Sequence, residues 1–513
     1  MRTIGASKFV DSIYVGLHVQ MSGINSDANS IISMMDYLGV HNFRDSPATA
    51  GMANAALTQK ALAEHGYGGM YLLGGNFGPD YLIEQMQAVE RLAFSVRYIE
   101  GPNEPNFYDE VRASDGSLIY YQYDGKSGTE AVHAQQADIY DWAHERLPGI
   151  SVAAASAPGW MEWHPDKWNE PNADLANLHV YSIPHFVNGH EQTEMAFAID
   201  SNVRYGAPYA INSGGAFIVS ETGGNTLATN VAYSSEETQA KTVLKAVFGN
   251  LAAGAEAVAI HDLVDGPAGA DTGWGLFRED GSVKFSGAAL AQSLRLISAG
   301  SDRGSPAEAS GFGFSVQNAP NSYTLGIQTD HREMVAVWGD DGDYRNVSVT
   351  FDKLVGWINV YDTLGGGSAY LNFGSTASFQ TVYDRPFVFE MVIPVDAYRS
   401  VQAFYEGAFD LVGDGNGVVH HVSHIVANGW SKSQVANDFI NAMPTMDDLT
   451  FVQTLYRNSL EREAQSWESG WWLDRMHEGT SRADVFVGIA NSEESFSHMA
   501  YVRTAAENNT LIG

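Results

Sequence analysis

Ile99-Glu100-Gly101-Pro102-Asn103-Glu104-Pro105-Asn106 and Ile218-Val219-Ser220-Glu221-Thr222-Gly223-Gly224 are two strand-like apolar runs, each ending abruptly in a carboxylate among Gly and Pro. Such a break is how a buried strand delivers a side chain to a surface loop. Glu104 and Glu221 are therefore the residues to explain, because burial and neighbours at a strand end can set the proton affinity of a carboxyl group. Either one alone is most simply an ordinary loop carboxylate. Their setting in the chain is what separates them from one.

From Ser12 to about Ser301, short β-rich runs alternate with longer helical patterns. The strands are expected at Ile13–Val19, Asn42–Arg44, Gly69–Leu73, Ser95–Glu100, Ser151–Ala155, Asn177–Tyr181, Ala216–Ser220 and Ala257–Asp262. Between them, helical patterns over Asn29–Leu38, Ala53–His65 and Glu236–Ala253 stop at Gly39, Gly66 and Gly254, as helices do before a left-handed residue. In the last of them Val243, Val247 and Leu251 form one apolar stripe. Alternation of this kind implies a parallel sheet covered by helices, and eight repeats in roughly 290 residues favour a closed (β/α)8 barrel, a TIM barrel, over an open sheet.

A barrel carries its chemistry at the carboxy-terminal ends of its strands. In strand order those ends bring His18, Arg44, Gly74 with Asn76, Asn103 with Glu104, Ser156 with Trp160, His179 with Tyr181, Glu221, and His261 with Asp262. Some polar residues cap any barrel. Arg on the second strand, His-x-Tyr on the sixth and Glu on the fourth and seventh go beyond that need.

With Asn103-Glu104-Pro105 after the fourth strand and Glu221 after the seventh, the chain resembles clan A of the glycoside hydrolases, retaining enzymes built on this barrel. Arg44 and His179-Val180-Tyr181 match further positions common in the clan, and the resemblance covers about Asp11 to Ser301. It departs at the eighth strand, where many members offer a Trp to the sugar and this chain has His261-Asp262; Trp274, in the next loop, is the candidate replacement. The resemblance implies Glu221 as nucleophile and Glu104 as acid/base, their carboxyl groups about 5–5.5 Å apart. It also implies that Asn103 hydrogen-bonds the sugar 2-hydroxyl. Tyr181 is placed to align Glu221 and Arg44 to keep it ionised, while the charge on Glu221 would raise the proton affinity of Glu104. With Asn76, Trp160, His179 and Trp274, these residues make up the expected substrate site. The cycle requires no metal and no organic cofactor.

Sugar rings stack on aromatics, and Phe107, Tyr108, Tyr121, Tyr123, Trp160, Trp163, Trp168 and Trp274 lie in the loops around the expected site. So many aromatic loops point to an extended cleft and internal cleavage of a polysaccharide.

Beyond Ser301 the pattern changes to short alternating strands, including Phe312–Val316, Tyr323–Gln328, Met334–Trp338, Val347–Phe351, Trp357–Tyr361 and Val388–Ile393, the signature of an antiparallel β-sandwich. From about Ala397 the chain turns helical, and Leu411–Gly417 reads as a connecting turn rather than a calcium loop. Thr450–Arg457, Gly470–Leu473, Gly479–Val485 and Asn491–Glu494 together resemble a small helical domain of unknown function, related to phycobilisome linkers, that is found on exported bacterial proteins. Ser481 to Asp484 and Asn491 to Glu494 have capping-box spacing. The expected organisation is a barrel at 1–301, a sandwich at 302–397 and an all-α domain at 398–513.

Composition narrows the function. A net charge of −33 repels nucleic acid and anionic membrane surfaces, and no run approaches the roughly 20 apolar residues of a bilayer span. The absence of cysteine excludes disulfides and thiolate chemistry. Met1 to Val15 shows no cleavable secretion signal, which leaves a mature form, a cytoplasmic protein and an uncleaved carboxy-terminal export signal open, and the acidic, cysteine-free composition suits the last. The expectation is a secreted glycosidase acting on a polysaccharide or oligosaccharide. The competing expectations are a non-hydrolytic carbohydrate-binding or matrix protein on a retired barrel, and a surface protein whose carboxy-terminal helices carry the role.

Overall fold

A computed structural model describes residues 2–21, 23–76, 78–105, 121–158, 170–182, 185–187, 190–192, 194–210, 212–227, 234–266, 272–299, 312–329, 332–352 and 354–498. Eight parallel strands form its first part: β1 (Ile13–Gly16), β2 (Asn42–Asp45), β3 (Gly68–Leu72), β4 (Val96–Glu100), β5 (Ser151–Ala153), β6 (Ala176–Tyr181), β7 (Phe217–Gly223) and β8 (Val258–Ile260). β8 returns to β1 through Val258↔Ile13 and Ile260↔Val15. Between β5 and β6 the seam is thinner, made by the bridge Ala153↔Leu175 and the short strand Ala157–Pro158, which pairs with Leu178 and His179. This is the expected (β/α)8 barrel.

The helix ends follow local chemistry. Asp27 caps Ala28–Leu38 by accepting from the Ser30 amide, and Gly39 ends it at φ +78°. Ser235 likewise caps Glu236–Ala253, and Gly254 closes it at φ +114°. The single stripe expected on this helix is a correction: Thr238 through Leu251 are buried except Lys241, because the helix lies between the barrel and a second sheet. Lys245 reaches from it to Asp340 (2.7 Å) and Lys241 to Asp384 (2.8 Å), tying the two parts together.

That second sheet has six strands in the order Arg2–Gly5, Tyr323–Gln328, Arg332–Trp338, Phe387–Val392, Gly356–Asp362 and Ser368–Gly374. A three-stranded sheet, Phe314–Gln317, Tyr344–Phe351 and Thr376–Val382, completes the sandwich. Arg332-Glu333-Met334-Val335-Ala336-Val337-Trp338 shows why its centre is so apolar. Met334, Ala336 and Trp338 join the barrel core, while Val335 and Val337 join the core shared with the carboxy-terminal helices. A strand covered on both faces has no polar side to show.

Two boundaries differ from those drawn from sequence. Arg2–Gly5, expected with the barrel, pairs in parallel with Tyr323–Gln328 in the sandwich, a long-range association that no local pattern announces. The helix Val395–Phe409 crosses the boundary expected at 397/398, starting directly after Pro394. Helices Gly415–Val426, Lys432–Ala442, Asp448–Leu460, Ser466–His477, Arg482–Ala490 and Glu493–His498 follow. Asp414 caps the first by accepting from the amides of Asn416 and Gly417, so this segment is a turn. Ser481 caps Arg482–Ala490 as its spacing predicted; for the final helix the cap is Ser492, which accepts from Ser495, rather than Asn491.

Candidate active site

Strand parity decides which side chains enter the barrel. Phe43, Ile99, Leu178 and Val180 pack outward against the helices, so Arg44 on β2, Glu100 on β4, and Asn177, His179 and Tyr181 on β6 face the axis. The lower interior is apolar, with Tyr14, Met70, Ala153, Ile218 and Ala259 in contact. On β7 Val219 points outward and Ser220 inward, so a regular strand would turn Glu221 away. The pairing slips between Leu178↔Val219 and His179↔Glu221, a bulge that brings both Ser220 and Glu221 to the interior.

Arg44 is the hub of the polar layer. Its Nε and Nη2 donate to the two oxygens of Glu100 (2.7 and 3.0 Å), Nη1 to Glu221 Oε1 (2.7 Å), and Nη2 also to Asn103 Oδ1 (2.8 Å). Glu100, fully buried, accepts a further bond from Asn177 Nδ2 (3.2 Å). The Tyr181 hydroxyl donates to Glu221 Oε2 (3.0 Å). His179 Nδ1 lies 2.7 Å from Glu104 Oε1 and 3.4 Å from Glu221 Oε2, and its Nε2 3.1 Å from Ser220 Oγ. One ligand atom from each of Glu104, His179 and Glu221 lies within 4.8 Å of the others, so the two carboxyl groups face each other at short range.

Glu104 holds a left-handed backbone, φ +42°, which only a minority of non-glycine residues adopt. Its amide donates to Ser156 Oγ (3.2 Å), and that hydroxyl donates to Asn103 Oδ1 (3.3 Å), so the broken fifth strand holds the loop after the fourth. Burial opposes ionisation of Glu221, but the charges of His179, Arg44 and His261 and the Tyr181 hydrogen bond outweigh it, holding the carboxyl well below the usual carboxylate range. Burial, then the charges of Glu221 and Glu104, push the Tyr181 hydroxyl far up, so it remains a donor. Burial pushes the neighbouring Asp45 carboxyl up to about 7, against hydrogen bonds from Gln59 and Gln20.

Residues 435–499 match the family model described as "Domain of unknown function (DUF4214)". No curated protein matches the sequence. Similar solved structures include a family 39 glycoside hydrolase from the gut symbiont Bacteroides cellulosilyticus WH2, 15% identical over 76% of this chain and 82% of that one, TM-score 0.46. A glucosidase from Croceicoccus marinus is 12% identical over 76% of this chain and 98% of that one, TM-score 0.46. A monomeric beta-xylosidase from Caulobacter crescentus CB15 is 12% identical over 77% and 100%, TM-score 0.43.

Arg44, Asn103, Glu104, His179, Tyr181 and Glu221, all expected from sequence, form one bonded cluster. Trp274 stands beside it, its ring 5.3 Å from that of Tyr181 and 5.5 Å from that of His261, both edge-on. The Asn76 Oδ1 accepts from the Gln122 amide, tying two loops together. Trp160, with Phe107, Tyr108, Trp163 and Trp168, lies outside the described residues. Tyr121 and Tyr123 are corrections, since both are buried and hydrogen-bonded, Tyr121 to Gln135 and Tyr123 to Asp138, and neither offers a face to a sugar. Glu100 and Asn177 were missed. The available signal was a charge inside each of two strands, Arg44 and Glu100, since buried charges need partners.

Proposed function

We propose that this protein is a retaining β-glycoside hydrolase that cleaves a polysaccharide internally by double displacement. The observation that carries the proposal is the short separation of Glu104 and Glu221, with His179 contacting both, at the ends of the fourth and seventh strands. Retaining chemistry needs carboxyl groups about 5–5.5 Å apart, whereas inversion needs about 6.5–9.5 Å to admit a water. Glu221, held ionised, attacks the anomeric carbon while Glu104 gives its proton to the leaving oxygen. Water then breaks the glycosyl–Glu221 ester, returning its proton to Glu104 and releasing the sugar with its original configuration. Arg44 and Tyr181 orient the nucleophile through opposite oxygens, and Asn103, fixed by Arg44 and Ser156, is placed to bind the 2-hydroxyl. Trp274 supplies an aromatic platform at the rim. The strained backbone of Glu104 fits a side chain held for chemistry rather than for packing.

We assign the reaction to the barrel, accessory roles to the sandwich and the carboxy-terminal helices, and an extracellular location to the whole. No helix among the described residues is long and apolar enough to cross a membrane. The test is a turnover screen on β-linked glucans, xylans and mannans with product sizing. Glu104→Gln and Glu221→Gln should each abolish hydrolysis with an unchanged circular dichroism spectrum, and proton NMR should show the first-formed anomer to be β. Wild-type activity in either variant, or an α product, would remove the assignment.

A further inference from the structure

Among the described residues a second group of metal-type ligands lies on the same rim, near enough to the paired glutamates that the charge of His261 acts on Glu221. His18 follows β1, and His261 and Asp262 follow β8, the strand paired to it through Val15↔Ile260. One ligand atom from each lies within 4.8 Å of the others. His18 Nε2 stands 3.0 Å from Asp262 Oδ2, and the two imidazole rings meet edge-on at 5.7 Å. We propose that His18, His261 and Asp262 form a binding site for a divalent transition-metal ion of the zinc class.

His18 and Asp262 form an ion pair, and His261 brings a second imidazole to the same point. Two imidazoles and one carboxylate are the donor set of zinc, cobalt and nickel, while calcium and magnesium favour oxygen ligands throughout. The set is oriented from behind. Asp262 Oδ1 accepts from the Leu263 amide (2.7 Å), which fixes the carboxylate plane and directs Oδ2 to His18. A Cβ at Gly16 would stand 3.2 Å from Asp262 Oδ1 and 3.7 Å from His261 Nδ1, so glycine leaves the carboxylate its space. Three protein ligands leave coordination positions for oxygens of a bound molecule. The site does not depend on the glycosidase proposal.

The test is titration of chelator-treated protein with Co²⁺, read by visible ligand-field absorption and by quenching of tryptophan emission, to which Trp274 beside His261 contributes. One ion per chain should bind, with a dissociation constant below about 10 µM. His18→Ala, at a partly exposed position, should weaken binding more than about 100-fold, beyond the effect of losing an outer partner. Asp262→Asn, which keeps the acceptor for Leu263, should do the same and serves if the first variant does not fold. Glu104→Gln should leave binding intact. No saturable binding below about 1 mM, binding that survives both substitutions, or binding lost with Glu104→Gln but not with His18→Ala would overturn the proposal.

Discussion

Replacing Arg44 by Lys keeps a positive charge but removes the planar fork, and the cost can be worked from what each acceptor loses. Arg44 donates to Glu100 at 2.7 and 3.0 Å, to Glu221 at 2.7 Å and to Asn103 at 2.8 Å. A compact ammonium on a flexible stem cannot satisfy carboxylates on β4 and β7 together. Glu100, which has no contact with solvent, would keep the 3.2 Å bond from Asn177 as its side-chain support. Breaking one side of a buried ion pair costs about 3–5 kcal/mol, and retained Coulombic attraction reduces this to about 2–4 kcal/mol for Lys. The assay is urea unfolding followed by tryptophan emission in the wild type, Arg44→Lys, Glu100→Gln and the double variant. With Glu100 already neutral, the fork has less to hold, so the cost of Arg44→Lys should fall by more than about 1 kcal/mol. A wild-type unfolding midpoint for Arg44→Lys, or a coupling near zero, would refute the role of Arg44 as the clamp between β4 and β7.

Tyr181→Phe deletes one bond to a charged carboxylate (3.0 Å), worth about 1.5–3 kcal/mol, so steady-state hydrolysis should slow by roughly 10–100-fold; an unchanged kcat/KM contradicts this. Because the folded-state pKa of Glu221 is depressed, its ionisation contributes stability that is fully present above the unfolded value of about 4.3 and lost as pH falls toward the folded value. The stability difference between wild type and Glu221→Gln should therefore be flat above pH ~5 and shift against the wild type below pH ~4; a difference that changes only near neutral pH would show another group to be responsible. Gly101→Ala drives a methyl group into Gln136 Oε1 and to 2.9 Å from the Ala155 backbone nitrogen, so a loss of about 1–3 kcal/mol is expected with a fall in activity as the loop bearing Glu104 shifts. Thermal melting at the wild-type temperature would contradict it.

The barrel was legible because its signals are local. Apolar runs ending at Gly or Pro mark strands, and glycines after periodic stretches mark helix ends, as at Gly39 and Gly254. The same punctuation carries Glu104 and Glu221 to strand ends, and parity within β6 carries His179 and Tyr181 inward together. Ser368–Gly374 and Thr376–Val382 carry only short alternations, Ala369, Leu371 and Phe373 in one and Ala377 and Phe379 in the other, which mark a strand weakly until a partner strand is paired with them. Tertiary structure decided everything that depends on a partner far along the chain. Arg2–Gly5 is a strand only because Tyr323–Gln328 receives it, and Tyr121 is buried only because Gln135 and Gly75 lie beside it. The decisive case is Glu221: alternation alone points it away from the axis, and one extra residue in the pairing of β6 with β7 turns it in to meet Arg44 and Tyr181. Register belongs to two strands at once, so reading either strand by itself does not reveal it.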